Sequence, residues 1–377
     1  MKKYYLLTPG PTPIPPEVAL ESALPILHHR TSEFGAIFTQ VIEGLKYVFQ
    51  TQGTVLLVTS SGTGGMEASV VNLLSPGDKV LVASSGVFGD RWIKILETYR
   101  IKPETICNEW GKAIDLGSIE KKLKTNSEIK AVFTTHTETS TGVVNDLKTL
   151  GEIVAKTDAV LVIDSISGLC AQELHTDKWH LDVVVGASQK GLMNAPGLSF
   201  VALSDKAWNL VEKAQLPRFY WDFRRMKKSL ADKETPFTPA VTLIIALNQA
   251  IEMIKKETLE KIWARHEKLA RATRAGMQAL NLELFAQNPS NVVTAVKSPQ
   301  GLDSGKLVKK LREEYGISIA GGQQDLKGKI FRLAHLGYMN EFDILVGISA
   351  VERGLKELGC QGFEFATGVS AAEKILF

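Results

Sequence analysis

The segment Leu181-Asp-Val-Val-Val-Gly-Ala-Ser-Gln-Lys-Gly191 combines a short apolar run with a single lysine. The run from Val183 to Val185 predicts a buried strand, and Lys190 follows just beyond its end. A lysine there is unusual because burying its charge is costly. A Schiff base with an aldehyde is one chemistry that needs it, since partial burial lowers the pKa of the amine and frees the nucleophile. A lone lysine after a strand is more commonly a surface residue, so the interpretation depends on the rest of the chain.

Strands and helices alternate on both sides of this segment. Helical spacing predicts helices near residues 65–74, 89–99, 115–124 and 146–156. The predicted strands are rich in Val, Leu and Ile, as in a sheet covered on both faces; they are Val55–Thr59, Lys79–Ala83, Ala131–Thr135, Ala159–Ile163, Val183–Val185 and Leu198–Leu203. The pattern predicts an α/β fold in which helices cover both faces of a mostly parallel sheet.

The chain divides into three predicted parts. Residues 1–15 include a proline-rich run that can be neither helix nor central strand. We expect it to be an extended arm that lies on another surface, such as that of a partner subunit. Residues 16–257 form the predicted large domain. Residues 258–377 mix helices with strands near 292–296, 317–319 and 330–334, which predicts a smaller C-terminal α+β domain.

The composition is that of an ordinary soluble globular protein. Charged residues make up 23% of the 377 residues, and the net charge of +3 gives no basic surface for nucleic acid. Cys107, Cys170 and Cys360 are too scattered for a disulfide framework or a metal cluster, and they fit a reducing compartment. The N-terminus does not resemble a signal peptide, and no apolar stretch reaches the roughly 20 residues of a membrane helix. We therefore expect a cytoplasmic protein without a membrane segment or a bound metal.

Asp164 ends an apolar strand and is the second candidate for chemistry. A carboxylate at the carboxyl end of a buried strand points into the crevice where α/β sheets bind ligands. It could equally cap a helix, form a buried hydrogen bond or bind magnesium in an NTPase, although the last needs a loop of the type G-x-x-x-x-G-K-[ST], which the sequence lacks. Lys190 and Asp164 are the pair that pyridoxal phosphate requires: lysine holds the aldehyde carbon, and aspartate keeps the ring nitrogen protonated.

Three loops that follow strands contain further candidates. Ser61, Gly62 and Thr63 lie in a glycine-rich turn before a predicted helix, where backbone amides and the helix N-terminus favour an anion such as phosphate; many such turns are merely tight turns. Phe88 is either a core aromatic or a stacking partner for a pyridine ring. Thr139 lies in a hydroxyl-rich loop that either caps local structure or contacts the cofactor.

Arg332 lies inside the apolar strand of the segment Lys329–Ala334. It is either a strand residue that points outward or a buried clamp for a carboxylate, a role to which its guanidinium fork is suited. From the strand alone, the outward orientation is the expectation.

Together these segments resemble the class V aminotransferases, within the fold-type I pyridoxal-phosphate enzymes. They look most similar to the alanine–glyoxylate/serine–pyruvate aminotransferase group. The resemblance covers nearly the whole chain, and it is carried, in chain order, by TPGPTPIPPEV, HHRTSEF, SSGTGGMEA, GVFGDR, THTETSTGV, VIDSISG, GASQKGLMNAPG, TPFTPAV and FRLAHLG. It implies the fold-type I architecture, pyridoxal 5'-phosphate as the cofactor and amino-group transfer as the reaction.

The resemblance also implies a role for each candidate around the cofactor ring. Lys190 matches the Schiff-base lysine, Asp164 the partner of the pyridinium nitrogen, and Gln189 a neighbour that contacts the cofactor. Thr139 matches a position near the ring hydroxyl, where relatives often have serine. Phe88 matches the stacking aromatic, which is often tryptophan in relatives.

The remaining matches concern the phosphate and the substrate. The loop Ser61–Thr63 matches the phosphate-side loop. Thr235 and Thr238 match positions that reach the phosphate from the other subunit of a homodimer, although relatives often have tyrosine where Thr235 stands. Arg332 matches the substrate-carboxylate arginine, which reverses the expectation drawn from its strand.

We therefore expect an aminotransferase that moves an amino group from a small amino acid, alanine or serine, to glyoxylate or another 2-oxo acid. One alternative is a dicarboxylate such as aspartate, or a phosphonate, for which the stretch Arg218–Lys228, with His28, His29 and Arg30, could supply a second cation. Another is a lyase or desulfurase of the same fold, but the loop at 320–328 lacks the cysteine that a desulfurase needs. A non-catalytic or nucleotide-binding α/β module is the alternative from a different class.

Overall fold

The computed structural model describes residues 3–377. Its strands are β1 (Tyr5–Leu6), β2 (Thr54–Thr59), β3 (Lys79–Ser84), β4 (Glu104–Cys107), β5 (Ile129–Thr135), β6 (Thr137–Glu138), β7 (Val143–Val144), β8 (Val160–Asp164), β9 (Val183–Ala187), β10 (Leu198–Leu203), β11 (Val293–Lys297), β12 (Ile317–Ser318), β13 (Ala320–Gly321) and β14 (Ile330–Ala334). Its α-helices are α1 (Pro16–Glu21), α2 (Ser32–Phe49), α3 (Gly62–Leu73), α4 (Val87–Thr98), α5 (Leu116–Thr125), α6 (Leu147–Val154), α7 (Asp205–Val211), α8 (Phe223–Ala231), α9 (Val241–Glu257), α10 (Leu259–Ala279), α11 (Ser304–Lys310), α12 (Glu341–Glu357) and α13 (Thr367–Leu376). A π-turn at Leu311–Tyr315 continues α11, and Gln324–Leu326 forms a 3-10 turn.

A seven-stranded sheet with the order β2-β10-β9-β8-β5-β3-β4 forms the centre of the fold. The pairs β9–β8, β8–β5, β5–β3 and β3–β4 are parallel, whereas β10 is antiparallel to both of its neighbours. The sheet is therefore mostly parallel, with β2 running in the same direction as β9. This confirms the predicted fold class, and each of the six predicted strands is present within two residues of its predicted ends.

Helices cover both faces of this sheet because successive strand residues point in opposite directions. Leu57 of β2 packs into the cluster formed with α2, α5, α6 and α9, whereas Leu56 and Val58 pack into the cluster formed with α3, α4, α7 and α8. Burying one such aliphatic side chain contributes about 1.5–3 kcal/mol. The two covered faces explain why the strands are apolar at nearly every position, which made them recognisable in the sequence.

Some elements were not predicted, and their burial explains why. Strand β4 lies at the edge of the sheet, where its residues are half-buried or exposed, so it lacks an apolar run. Helix α8 buries only Phe223 and Met226 among several basic residues, and the sequence indicated only a charged stretch there. The short helices α1, α7 and α13 were missed as well.

The C-terminal part has its own small sheet, with the order β11-β14-β13 and antiparallel pairing throughout. Helices α10, α12 and α13 pack with this sheet in a separate apolar cluster. Helix α9 ends and α10 begins at Thr258, which is where the predicted small domain starts. The division at residue 258 itself stays a prediction. None of the helices within residues 3–377 is both long and apolar enough to cross a membrane.

The predicted N-terminal arm lies on its own chain. Met1 and Lys2 fall outside the described residues. Tyr5 and Leu6 form β1, which pairs in parallel with β12 of the C-terminal part. Further along, the Thr12 N–H donates a hydrogen bond to the Gln189 carbonyl at 3.2 Å. The arm therefore joins the C-terminal part to the loop that contains Lys190.

Candidate active site

Most of the candidate residues meet at one edge of the central sheet. Strands β2, β3, β5, β8 and β9 run in the same direction, so their carboxyl ends lie along this edge. The predicted residues that follow or end these strands are Ser61, Gly62 and Thr63 after β2, Phe88 after β3, Thr139 after β5, Asp164 at the end of β8, and Gln189 and Lys190 after β9. Ligands bind at this edge in open α/β sheets.

Lys190 is partly buried at the end of β9. Its Nζ atom donates a hydrogen bond to the backbone carbonyl of Pro9. Burial lowers the pKa of Lys190 to about 8; Asp164 opposes this decrease, whereas the guanidinium groups of Arg332 and Arg91 contribute to it. An amine with this pKa is neutral in about a tenth of the molecules at pH 7 and in about half at pH 8, and the neutral form is the nucleophile.

Asp164 is a buried carboxylate with 5% of its surface exposed. It lies beside Val185 of β9 in the register of the sheet, and its Oδ1 accepts a hydrogen bond from the Ile166 N–H at 2.8 Å. Burial raises the pKa of Asp164 to about 7, against the effect of this hydrogen bond. Within residues 3–377, no side chain donates a hydrogen bond to this carboxylate, so it can accept one from a cationic ligand.

The N-terminus of α3 is the turn predicted to bind the phosphate. The helix begins at Gly62, three residues before the predicted start, and its N-cap, Ser61, makes no side-chain capping bond. The N–H groups of a first helical turn have no acceptor within the helix and point at any bound anion. Arg91 adds a positive charge at this turn, where its Nη1 atom donates a hydrogen bond to Thr63 Oγ1 at 3.2 Å. A Cβ atom at Gly64 would approach within 2.5 Å of the Ser60 side chain, so glycine is required for the close turn.

A buried glutamate holds the predicted stacking residue. Glu138 is fully buried and accepts hydrogen bonds from the N–H groups of Phe88 (3.1 Å to Oε2) and Gly89 (2.9 Å) at the start of α4. Burial raises the pKa of Glu138, and these hydrogen bonds oppose that increase. The Phe88 ring lies 4.7 Å from the guanidinium carbon of Arg91. Glu138 therefore fixes the position from which Phe88 can contact a bound ring.

Arg332 reaches the same site from the small sheet. Only 4% of its surface is exposed, so the outward orientation expected from the strand alone is wrong. Its Nη1 atom donates to the Thr139 carbonyl at 2.7 Å, and its Nε and Nη2 atoms donate to the Gly321 carbonyl at 3.1 and 2.7 Å. Burial lowers the pKa of Arg332 to about 10, while Glu138 opposes this decrease. These bonds hold the guanidinium group beside the loop of Thr139.

Residues 4–335 match the family model described as aminotransferase class-V. The chain belongs to the class-V aminotransferases. The soluble hydrogenase 42 kDa subunit of Anabaena cylindrica is 44% identical over 99% of this chain and 98% of its own length. The L-aspartate–glyoxylate aminotransferase of Paracoccus denitrificans is 37% identical (98% and 95%), and the serine–glyoxylate aminotransferase of Hyphomicrobium methylovorum is 35% identical (98% and 93%).

A solved structure of the same fold supports this membership. The ureidoglycine–glyoxylate aminotransferase of Bacillus subtilis superimposes with a TM-score of 0.95 at 27% identity, covering 100% of this chain and 98% of that one. The comparison confirms the predicted fold-type I architecture, and this class-V aminotransferase is a transaminase.

Pyridoxal 5'-phosphate is the cofactor of this class-V aminotransferase. The charges of the site residues match those of the cofactor. The N-terminus of α3, which has no side-chain cap, suits a phosphate, the buried Asp164 suits a protonated ring nitrogen, and the partly buried Lys190 suits an aldehyde. In the part of the chain that the structure describes, the buried Oε1 atom of Gln189 has no hydrogen-bond partner. It is thus an acceptor available to a ligand. No group of three or more His, Cys, Asp or Glu residues among 3–377 could hold a metal ion.

The structure does not bring every predicted residue of this class-V aminotransferase to the site. Thr235 is buried and donates from its hydroxyl to the Phe237 carbonyl at 2.7 Å, and Thr238 is exposed. Apart from the hydrogen bond that Arg30 Nη1 donates to the Thr235 carbonyl at 3.0 Å, no hydrogen bond within 3–377 joins either threonine to another candidate residue. Their predicted role concerns a second subunit and stays a prediction.

The basic residues considered as a second cation contact other parts of the chain. Arg218 donates to three backbone carbonyls, of Val71, Ala214 and Leu216. Two other candidates for the second cation form ion pairs: Arg224 with Asp222, and Arg30 with Glu234.

Three features of the site were not predicted. Arg91 and Glu138 lie inside GVFGDR and THTETSTGV, and a carboxylate after a buried strand was the available signal for Glu138. The contact between Lys190 and Pro9 had no signal, because it involves a backbone carbonyl far away in the sequence.

Proposed function

We propose that this enzyme moves the amino group of a small amino acid, alanine or serine, to glyoxylate or another 2-oxo acid. The observation that carries the proposal is the convergence of Lys190, Asp164 and Arg332 at one edge of the sheet, in a chain of the class-V family. Relatives named for glyoxylate as acceptor, among them the serine–glyoxylate enzyme, support the choice of acceptor and donor.

Arg332 is the proposed holder of the substrate carboxylate. Its guanidinium group is fixed by carbonyls of Thr139 and Gly321, which use some of its N–H groups. A guanidinium group has five N–H donors, so others remain for a carboxylate. Such charge-assisted bonds are among the strongest hydrogen bonds in proteins, and they fix the direction of the amino acid as well as its affinity.

Lys190 is the proposed nucleophile and general base. When bound, pyridoxal phosphate supplies an aldehyde that links to an amine and a ring that accepts electrons. Lys190 Nζ is the amine that would hold this aldehyde. When it is free, Nζ would take the proton from the Cα atom of the substrate and later give it back as a general acid. A lowered pKa suits both tasks, because each needs the neutral amine.

Asp164 and the surrounding residues have supporting roles in the proposal. Asp164 holds a proton on the ring nitrogen, for which its burial and free acceptor oxygen are suited. The loop Ser61–Thr63 binds the phosphate, Phe88 stacks on the ring, and Thr139 lies near the ring hydroxyl. The Thr139 hydroxyl is 2.6 Å from the hydroxyl of Ser167, which fixes its direction.

Aspartate is the second candidate donor, because one relative is named for it. A dicarboxylate needs a second cation beside Arg332. Among the basic residues that could supply it, Arg224 and Arg30 are ion-paired with Asp222 and Glu234. Arg218 donates to backbone carbonyls through Nη1, but its buried Nε and Nη2 atoms have no partner among residues 3–377. The donor with a single carboxylate stays the first candidate because relatives are named for serine.

A desulfurase is less well supported. The loop at 320–328 contains no cysteine, and burial raises the pKa of Cys360, which makes its thiol a weaker nucleophile.

A homodimer is proposed for the complete site. Several apolar residues are exposed on a single chain, among them Leu24 (56%), Ile26 (68%) and Phe219 (68%), and a second copy could cover them. In that dimer, Thr235 and Thr238 would reach the phosphate of the opposite subunit. The expected result is a dimer in sedimentation velocity; a monomer with full activity would contradict the proposal.

The proposed location is the cytoplasm. Cys107, Cys170 and Cys360 are all free thiols in the structure, as is usual in a reducing compartment. Fractionation of the source cells with an antibody against the protein tests this, and recovery in an extracytoplasmic fraction would contradict it.

A donor-by-acceptor activity matrix tests the function. We expect the highest turnover with alanine or serine as donor and glyoxylate as acceptor, with the parallel-line kinetics of a ping-pong reaction. Higher turnover with aspartate would select the second candidate, and sulfide release from cysteine would select the desulfurase. Borohydride reduction of the holoenzyme, followed by peptide mapping, should place the tag on Lys190; a tag on another residue would refute the assignment.

A further inference from the structure

The N-terminal segment is fastened to the chain at two places, one near each key residue of the site. The Leu7 N–H donates to the Ser318 carbonyl at 2.8 Å, and the Leu7 carbonyl accepts from the N–H of Ala334, two residues beyond Arg332, at 3.0 Å. Thr12 is fastened to the lysine loop, since its hydroxyl donates to the Lys190 carbonyl at 3.0 Å. The residues between Leu7 and Thr12 therefore span from the strand of Arg332 to the loop of Lys190.

Pro9 and Gly10 lie between these two attachments and meet the lysine side chain. Lys190 Nζ donates a hydrogen bond to the Pro9 carbonyl. Gly10 has a φ of +131°, which residues with a side chain rarely adopt. A Cβ atom at Gly10 would overlap Nζ and Cε of Lys190 and would lie 2.6 Å from Cδ. Glycine at this position thus leaves room for the lysine stem as well as for its amine.

We propose that Pro9 and Gly10 are positioning residues for the amine of Lys190. The proposal rests on the role proposed above for Lys190 and deepens it. A neutral amine has two N–H groups and one lone pair. A rigidly held carbonyl that accepts one N–H restricts the directions in which the lone pair can point, and correct orientation of a reacting group is worth a large part of a rate enhancement. The carbonyl also satisfies the amine whenever it is not covalently linked.

The test measures covalent capture of the cofactor, defined as the rate at which the apoenzyme gains a borohydride-stable pyridoxyl tag on the peptide containing residue 190. In Gly10→Ala we expect capture to be at least tenfold slower than in the wild-type protein. The control is Gly77→Ala, since Gly77 also has a positive φ (+88°) but no atom lies within 4 Å of its Cβ position. It therefore carries the same kind of backbone strain without the overlap, and its capture rate should equal that of the wild type.

A second comparison separates positioning from general damage to the site. In the Lys190→Ala background the overlap disappears, so adding Gly10→Ala should change the non-covalent affinity for pyridoxal phosphate by less than twofold. The proposal would be overturned if Gly10→Ala lowered the affinity for pyridoxal phosphate equally in the Lys190→Ala background and in the wild-type background. An unchanged capture rate in Gly10→Ala would also overturn it. Absence of a tag on residue 190 in the wild-type protein would instead refute the proposed function itself.

Thr12→Val serves if Gly10→Ala does not fold. It removes the hydroxyl that attaches the segment to the Lys190 carbonyl, and valine has nearly the same size and shape as threonine. We expect capture to be about threefold to tenfold slower, with the non-covalent affinity of the Lys190→Ala background again unchanged. Capture at the wild-type rate in Thr12→Val would overturn the proposal.

Discussion

Replacing Asp164 by Asn should make the cofactor-free protein more stable while weakening the holoenzyme. Asp164 is 5% exposed, and the amide oxygen of the new side chain would still accept from the Ile166 N–H. The wild-type carboxyl has its pKa raised from 3.8 to about 7 by burial. At about 1.4 kcal/mol for each pKa unit, the ionised group costs the folded state about 4 kcal/mol above pH 7. Charges are screened more strongly in folded proteins than a dry interior would allow, which reduces this cost, so we expect a gain of about 2 kcal/mol.

The pH dependence has a definite sign. The folded-state pKa is higher than the unfolded one, so the folded state binds more protons than the unfolded state between about pH 4 and pH 7. The cost is complete above pH 7 and disappears as the pH falls through this range. The advantage of Asp164→Asn should therefore be largest at pH 8 and vanish near pH 4.

Urea denaturation of the apoenzyme at pH 8 and at pH 5 measures these differences in the free energy of unfolding. Asp182→Asn is the matched control: Asp182 is 7% exposed, but it accepts from the Leu161 N–H at 2.9 Å and from the Ser204 hydroxyl at 2.7 Å. It should lose stability, by about 1–3 kcal/mol. The reasoning is refuted if Asp164→Asn is no more stable than the wild type at pH 8, or if both variants gain equally. Asp164→Asn should bind pyridoxal phosphate more weakly than the wild type does, because it lacks the partner of the ring nitrogen.

Three further predictions concern the other residues of the site. The rate at which the apoenzyme captures pyridoxal phosphate should rise with pH around a midpoint near 8, the pKa of Lys190. A midpoint near 10.5 would mean an ordinary exposed lysine. Lys190→Ala should abolish both the tag and turnover. Arg332→Lys keeps the charge but loses the fork, so kcat/KM for the amino donor should fall about 10- to 100-fold, and an unchanged value would remove the carboxylate role. Glu138→Gln places an amide donor against the N–H groups at the start of α4, so the apoenzyme should lose about 1–3 kcal/mol of stability in denaturant titration; no loss would show that Glu138 does not hold Phe88 in place.

Part of this protein follows from the sequence alone, for a physical reason. A sheet covered on both faces needs apolar residues at nearly every strand position, and parallel strands need helices between them. Both requirements leave a local pattern, so the α/β fold and all six predicted strands could be read from the sequence. Lys190 and Asp164 were recognisable too, because a charged residue at the end of an apolar run stands out from its neighbours. The edge strand β4 lacked such a run and was missed.

The tertiary structure alone decided which way side chains point and which distant backbone groups meet them. Arg332 looked like an outward-pointing strand residue from its local pattern, yet it is 4% exposed and bonded to the Thr139 carbonyl, 193 residues away in the sequence. The contact of Lys190 with the Pro9 carbonyl spans 181 residues. Every residue except proline has the same backbone N–H and C=O groups, so their long-range partners leave no mark on the sequence. Those partners depend on how the arm, the central sheet and the small sheet pack together.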